Sequence, residues 1–326
     1  MCIQLWCFVM AVCLLAGPTA KGSQAKAESY PFQPVKIIVQ APVGNGPDVL
    51  ARIIADRLGD RWGQQVLIIN RAGGGGILAA QAAASAKPDG YTLYMPSSST
   101  FIVLPASHVK LPFDLDRDFV PIGLVGQSPM VIAVAPSLGV NSLQELVVMA
   151  KQRPGEILYA AIGRGTLPHL TSELFRRRAG IDLTYVPYPG TTQALHDVMG
   201  GRLALVFDGL GALSGALEAG ALKPLAITSA SRLPNLPYLA TVSETLPDFV
   251  ALGWYPLMAP AGTPDPIVAK VGADLRFVLE QPKLQEKLSL MGTAVRPMSP
   301  AEVTSFIRNE QEKWRPVLNQ VGVKPR

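Results

Sequence analysis

The chain has 326 residues, with 29 Lys and Arg against 24 Asp and Glu, a net charge of +5 at pH 7, and only three cysteines and three histidines. That length exceeds what a single hydrophobic core usually serves, so two lobes are the default expectation. The mild positive charge is no footprint of nucleic-acid binding, and it suits an anionic ligand only in a general way.

First in chain order is an almost wholly apolar run over residues 2–15, then the helix-breaking Gly17-Pro18, then small and polar residues up to Ser29. That is the order of a secretory signal, and the run falls short of the ~20 apolar residues a membrane span needs. Ala25-Lys26-Ala27 supplies an A-x-A step, so cleavage is expected after Ala27, with a cut after Ala20 as the alternative. No Lys or Arg precedes the apolar run, which is unusual for a signal, and a lipoprotein reading through Cys13 is disfavoured because apolar sequence continues beyond it. Cys2, Cys7 and Cys13 all lie inside this segment, so a mature chain has no disulfide, thiol nucleophile or cysteine-ligated zinc. Cleavage also removes Lys21 and Lys26 and no acid, leaving 27 basic against 24 acidic residues, a net +3.

Beyond the signal, short β-rich runs alternate with helical patterns. Residues 35–40 read as a buried strand, 49–58 as a helix and 66–69 as a second strand. Gly73 to Gly76 lead into an Ala-rich helix ending at Ser85, and the turn Lys87-Pro88-Asp89-Gly90 introduces a strand over 91–95. Strands are then predicted at 120–125, 130–135, 157–160, 183–186, 203–207 and 224–228, with helices at 142–151, 169–178, 191–199 and 212–219. From Asp265 onward the pattern is helical, with Ser299-Pro300-Ala301-Glu302 as a helix start. Such alternation predicts an α/β fold with parallel, helix-covered sheets. No repeat or long linker separates two halves, so discontinuous lobes are expected, with the chain crossing near Gln127-Ser128 and returning near residues 254–256.

Five loops carry the candidate binding residues, and each follows a predicted strand. Ala41-Pro42-Val43-Gly44-Asn45-Gly46-Pro47-Asp48 joins a strand to a helix; its glycines admit a ligand to the backbone, and the helix start offers free N–H groups to an anion. The plainer reading is a turn in which Asp48 stabilises the first helical turn. Gly163-Arg164-Gly165-Thr166-Leu167-Pro168-His169 repeats the arrangement, with Arg164 placed to pair with a carboxylate and Thr166 to donate a hydrogen bond. Alternatively Arg164 is a solvated cation and His169 caps or packs. Ser98 and Ser99 in Ser97-Ser98-Ser99-Thr100, Tyr188 in Pro187-Tyr188-Pro189-Gly190 and Asp208 in Phe207-Asp208-Gly209 complete the set. Their joint position at carboxyl ends of parallel strands is where open α/β sheets bind ligands.

Catalytic patterns are missing. Gly44-Asn45-Gly46 begins a dinucleotide-like glycine motif, but Val49 stands at its sixth position. The three histidines, His108, His169 and His196, have no metal spacing. Gly211 to Gly215 places its serine one position late for a nucleophile elbow. A Ser98, His169, Asp208 trio can be drawn across a cleft, yet any chain this long offers one. No enzyme activity, metal or cofactor is therefore expected.

Several short motifs recur in a specific order: Asn70-Arg71-Ala72-Gly73-Gly74-Gly75-Gly76, Lys87-Pro88-Asp89-Gly90-Tyr91-Thr92-Leu93, Val186-Pro187-Tyr188, Phe207-Asp208, Ala226-Ile227-Thr228-Ser229-Ala230 and Ala259-Pro260-Ala261-Gly262-Thr263-Pro264. With these the sequence resembles the Bug-type solute receptors, the periplasmic binding components of tripartite tricarboxylate transporters, from about Tyr30 to the C-terminus. The resemblance implies a two-lobed periplasmic binding protein (Venus-flytrap) fold, a carboxylate-bearing ligand held mainly by backbone amides, hydroxyls and water, and delivery to membrane permease subunits. Four positions depart from the family's usual pattern: Pro47 removes a hydroxyl and an N–H, Arg164 replaces a small or amide residue, Pro189 stands where Lys is common, and Gly209 where Asn is common. Arg164 is expected to compensate by pairing with the ligand anion.

The combined expectation is a periplasmic, monomeric binder of a small organic anion, a carboxylate or acidic amino acid, with no nucleic-acid partner. Its parts are a signal at 1–27, a first lobe over 28–127, a second over 128–254, and a return to the first over 255–326. Gly44, Asn45, Gly46, Gly163, Arg164, Gly165 and Thr166 are assigned to one ligand carboxylate, and Pro42, Asp48 and His169 are counted among the binding residues as well. Ser98, Ser99, Tyr188 and Asp208 are assigned to the other end, where Asp208 favours a donor group on the ligand. The alternatives are a sensor feeding a membrane kinase and a secreted serine hydrolase.

Overall fold

The computed structural model describes residues 30–108, 110–320 and 323, so the expected signal lies outside the described residues. The chain begins as expected, with β1 (Val35–Val39), α1 (Gly46–Trp62), β2 (Val66–Asn70), α2 (Ile77–Ala84) and β3 (Thr92–Met95). β1 runs parallel to β2 on one side and β3 on the other, so the loops leaving β1 and β3 emerge on the same edge. Leu50, Ile54 and Leu58 recur every fourth residue of α1 and bury one face of that helix. They join Val35, Ile37 and Val39 of β1 in one core cluster. Each such buried side chain contributes about 1.5–3 kcal/mol relative to exposure. The serine-rich segment after β3, read as a loop from sequence, is instead two short helices, α3 (Ser98–Ile102) and α4 (Leu104–Ser107).

The expected pair of strands at 120–125 and 130–135 is one continuous strand, β4 (Phe119–Val134). It changes partners midway. Phe119 to Pro129 pair antiparallel with β9 (Leu252–Pro260), whereas Met130 to Val134 pair with β7 (Leu205–Gly209) and Val131 to Val134 with β8 (Lys223–Ile227). The second group of strands is completed by β5 (Leu158–Ile162), parallel to both β6 (Thr184–Tyr188) and β7. Between them run α5 (Leu143–Gln152), α6 (Leu167–Ala179), α7 (Thr191–Met199) and α8 (Leu210–Glu218). β9 closes the first group, antiparallel to β3 and β4. It escaped the sequence reading because Pro256 and Pro260 lie within it, and proline usually argues against a strand. Pro256 is accommodated opposite Leu124, beside a register shift in the β4–β9 ladder, where a bulge relieves the missing N–H.

Three helices follow: α9 (Asp265–Leu279), α10 (Pro282–Leu290) and α11 (Pro300–Gln320). α11 packs on β4 and α3 and also touches α6 of the second group. Its Glu310 accepts hydrogen bonds from the indoles of Trp254 and Trp314, both at 3.2 Å. Trp254 in turn stacks on Phe101 with ring centroids 5.7 Å apart.

The link between α10 and α11 passes close to both groups of strands. Ala294 and Gln127 exchange backbone hydrogen bonds of 2.9 and 2.8 Å, and Ser289 carbonyl accepts from Asn235 at 3.0 Å. Between these points Gly292 adopts φ +71°, and a Cβ there would sit 2.3 Å from Leu210 Cδ2. Gly292→Ala is therefore expected to destabilise the protein by roughly 2–4 kcal/mol, through left-handed backbone strain plus overpacking. Urea unfolding checks this; an unchanged midpoint would show that the link yields freely.

Candidate functional site

A cleft of about 460 Å³ opens where the carboxyl ends of β1, β3, β5, β6 and β7 face one another. Four helices of eight residues or more place a first-turn residue on its wall. Gly46 and Pro47 of α1, Leu167 and Pro168 of α6, Thr191 of α7, and Gly209 and Gly211 at the start of α8 all line it. In each the residue before the helix, Asn45, Thr166, Gly190 or Gly209, makes no side-chain capping bond. By contrast Ser142, away from the cleft, caps α5 by accepting from the Glu145 N–H. Uncapped helix starts leave backbone N–H groups and the positive ends of helix dipoles facing the space between them. The cleft wall is thus built to attract an anion.

One wall holds a hydroxyl cluster. Gln40, at the end of β1, donates through Nε2 to Ser97 Oγ at 2.7 Å and Ser99 Oγ at 3.3 Å, and its Oε1 accepts from the Thr100 hydroxyl. Ser97 and Ser99 bond to each other at 2.8 Å. The opposite wall holds Asp208, only 6% exposed. Its carboxylate accepts from Thr191 Oγ1 at 2.8 Å and from the Gly209 N–H at 2.7 Å. Burial raises the Asp208 pKa to about 6, against the opposing pull of those two bonds. Nearby, Ser128 of β4 and Thr293 of the link between α10 and α11 share a hydrogen bond of 2.7 Å. The Tyr255 phenol is pushed up to about 12 by burial and by the Asp208 charge.

Of the residues assigned from sequence, Pro42, Asn45, Gly46, Ser98, Ser99, Gly163, Arg164, Thr166 and Asp208 line the cleft together. Gly44, Asp48, Gly165, His169 and Tyr188 do not, and each has a structural occupation. Asp48 accepts from the Gly44 N–H at 2.8 Å, Arg52 at 3.0 Å and Asn70 at 2.8 Å; burial would raise its pKa, but these partners hold it below the ordinary range. His169 accepts the Gly165 N–H on Nδ1 at 3.2 Å, which places its proton on Nε2, and its ring lies 4.5 Å from that of Tyr185. Tyr188 donates to Asp197 at 2.5 Å. Thr166, expected to donate to a ligand, instead directs its hydroxyl proton to the Ile162 and Gly163 carbonyls. Arg164 is exposed, with its guanidinium 5.8 Å above the Tyr185 ring.

Sequence reasoning missed Gln40, Ser128, Thr191, Tyr255 and Thr293, all on the wall. A polar residue closing the apolar strand 35–39 was a usable signal for Gln40. Tyr255 and Thr293 carry no local mark, because they arrive from a strand and a link far along the chain.

Residues 50–323 match the sequence model of the tripartite tricarboxylate transporter family receptor. The chain belongs to that receptor family. BugT of Bordetella pertussis is 34% identical over 300 residues, covering 91% of this chain and 92% of that protein. The solved structure of R. palustris Rpa4515 with adipate is 33% identical with a TM-score of 0.86, covering 91% of this chain and 100% of that one. Periplasmic binding protein BugD follows at 29% identity and TM-score 0.82, over 91% and 100% of the two chains. The receptor therefore has the two-lobed α/β fold of periplasmic binding proteins. The trio Ser98, His169 and Asp208 is not assembled in this receptor: His169 and Asp208 bond to Gly165 and to Thr191 with Gly209, not to each other or to Ser98.

Proposed function

We propose that this receptor captures a small carboxylate-bearing solute in the periplasm and delivers it to membrane permease subunits. The convergence of four uncapped helix starts on one cleft is the observation that carries this reading. Adipate in the Rpa4515 structure supports the ligand class, and family membership supports the permease partner. The ligand itself is expected to differ from those of relatives. Pro47, Arg164, Pro189 and Gly209, the four departures from the family's usual residues, all lie on the cleft wall.

In this reading Arg164 pairs with the ligand anion, aided by the Ser97–Ser99 pair and the N–H groups of the glycine-rich loops. The lobes are 28–127 with 255–326, and 128–254, a division supported by the partner change of β4 at Pro129 and Met130. Ligand binding shifts the population toward a closed arrangement of the lobes about β4 and β9. No helix among the described residues is long and apolar enough to cross a membrane, and the mature monomer starts at Glu28 after signal cleavage. Expression of the full chain in a Gram-negative host tests both halves of the proposal. N-terminal sequencing of the periplasmic fraction is expected to read from Glu28, and native mass spectrometry is expected to show a co-purifying small acid. Retention in the cytoplasm with the leader intact would overturn the location. A bound cofactor or nucleotide in place of an acid would overturn the ligand class.

A further inference from the structure

The hydrogen-bond directions on the two walls are opposite. Both hydrogens of the Gln40 amide go to Ser97 and Ser99, so each serine oxygen is already an acceptor. Their mutual bond uses one of the two hydroxyl hydrogens. One hydroxyl hydrogen remains for a group in the cleft, so the pair can donate to a ligand oxygen. On the far wall Thr191 and the Gly209 N–H both give their hydrogens to Asp208, leaving only acceptor positions facing inward. Asp208 is buried, yet no Lys or Arg pairs with it among the described residues. A buried carboxylate without a cation is costly, and a cation arriving with the ligand removes that cost.

Resting on the receptor reading above, we infer that the cleft holds its ligand in one orientation, a carboxylate on the Ser97–Ser99 pair and an ammonium group on Asp208. The substrate class is thus an amino-acid-type zwitterion rather than a plain dicarboxylate. The groups that face Asp208 are Thr191 of α7, the Gly209 N–H of β7 and Tyr255 of β9; of these only Tyr255 titrates, far above neutrality. Asp208 itself takes up its proton near pH 6, so a zwitterion loses affinity as pH falls through that value while a dicarboxylate gains it.

Matched pairs that exchange one carboxylate for an ammonium group test this by titration calorimetry on the mature chain. Suitable pairs are adipate with 6-aminohexanoate, glutarate with 5-aminovalerate, and succinate with 4-aminobutyrate. At neutral pH the ammonium-bearing member of the best-fitting pair is expected to bind about tenfold tighter or more, the size of a charged hydrogen bond. Asp208→Asn should erase that preference, whereas Ser99→Ala should weaken both members alike. Equal or tighter binding of the dicarboxylate would overturn the inference and leave the receptor reading intact. Binding of neither class, by folded and ligand-free protein, would overturn the receptor reading as well.

Discussion

Replacing Asp208 with Asn is expected to stabilise the ligand-free receptor at neutral pH by about 2–3 kcal/mol. The Asp208 pKa of about 6 lies above its ordinary value of 3.8, so the folded state holds this proton more tightly than the unfolded chain. The stabilisation that follows is complete below the unfolded pKa and is lost as pH rises through about 6. Above that, each unit of separation costs about 1.4 kcal/mol. Asn carries no charge at any of these pH values and can keep both bonds. Its amide oxygen accepts from the Gly209 N–H, and its amide nitrogen donates to a rotated Thr191 hydroxyl. The gain should accordingly shrink toward zero between about pH 6 and pH 4 as the wild-type carboxyl takes up its proton. Urea unfolding at several pH values checks the whole curve. A variant less stable than wild type at neutral pH would mean that the carboxylate is a structural anchor. A site that lowers the stability of its own fold is expected where the missing partner is the ligand.

Arg164→Ala is expected to have the opposite profile. Arg164 is exposed and its one described contact is the Tyr185 ring at 5.8 Å, so unfolding of the free protein should barely change. Loss of a charge-assisted hydrogen bond to the ligand anion should weaken binding by ~1.5–3 kcal/mol. Titration calorimetry with any ligand that binds the wild type reads the difference. An unchanged dissociation constant would return Arg164 to the role of a solvated loop cation and leave anion binding to the serines and helix starts.

Fold class was legible because strand and helix periods alternate cleanly as far as residue 228, and the helix over 191–199 begins and ends where the pattern placed it. What stayed hidden depended on long-range pairing. β9 contains two prolines, and only its ladder with β4, bulged opposite Pro256, makes it a strand. Gly126 lies just past the predicted strand 120–125 and continues β4, and a Cβ there would meet Thr293 at 2.7 Å. That several candidate loops line one cleft was legible for a different reason: short polar or glycine-rich segments after parallel strands are visible without knowing any contact. Which side chains within those loops face the cleft was not. Asp48 and His169 sit in the first turn of their helices, where they fold back to accept the Gly44 and Gly165 N–H groups of their own loops. Those bonds shape the loops, so both residues support the site without lining it.

Thermal unfolding of residues 28–326 against a panel of dicarboxylates, tricarboxylates, acidic and other amino acids, and aromatic acids tests the central claim most directly. A ligand at a hundredfold its dissociation constant adds about 2.7 kcal/mol, which at roughly 2–4 °C per kcal/mol is a shift of several degrees. A shift of that size confined to one class of carboxylate-bearing compounds is the predicted result. A flat response across the panel, from protein shown to be folded and ligand-free, would contradict it.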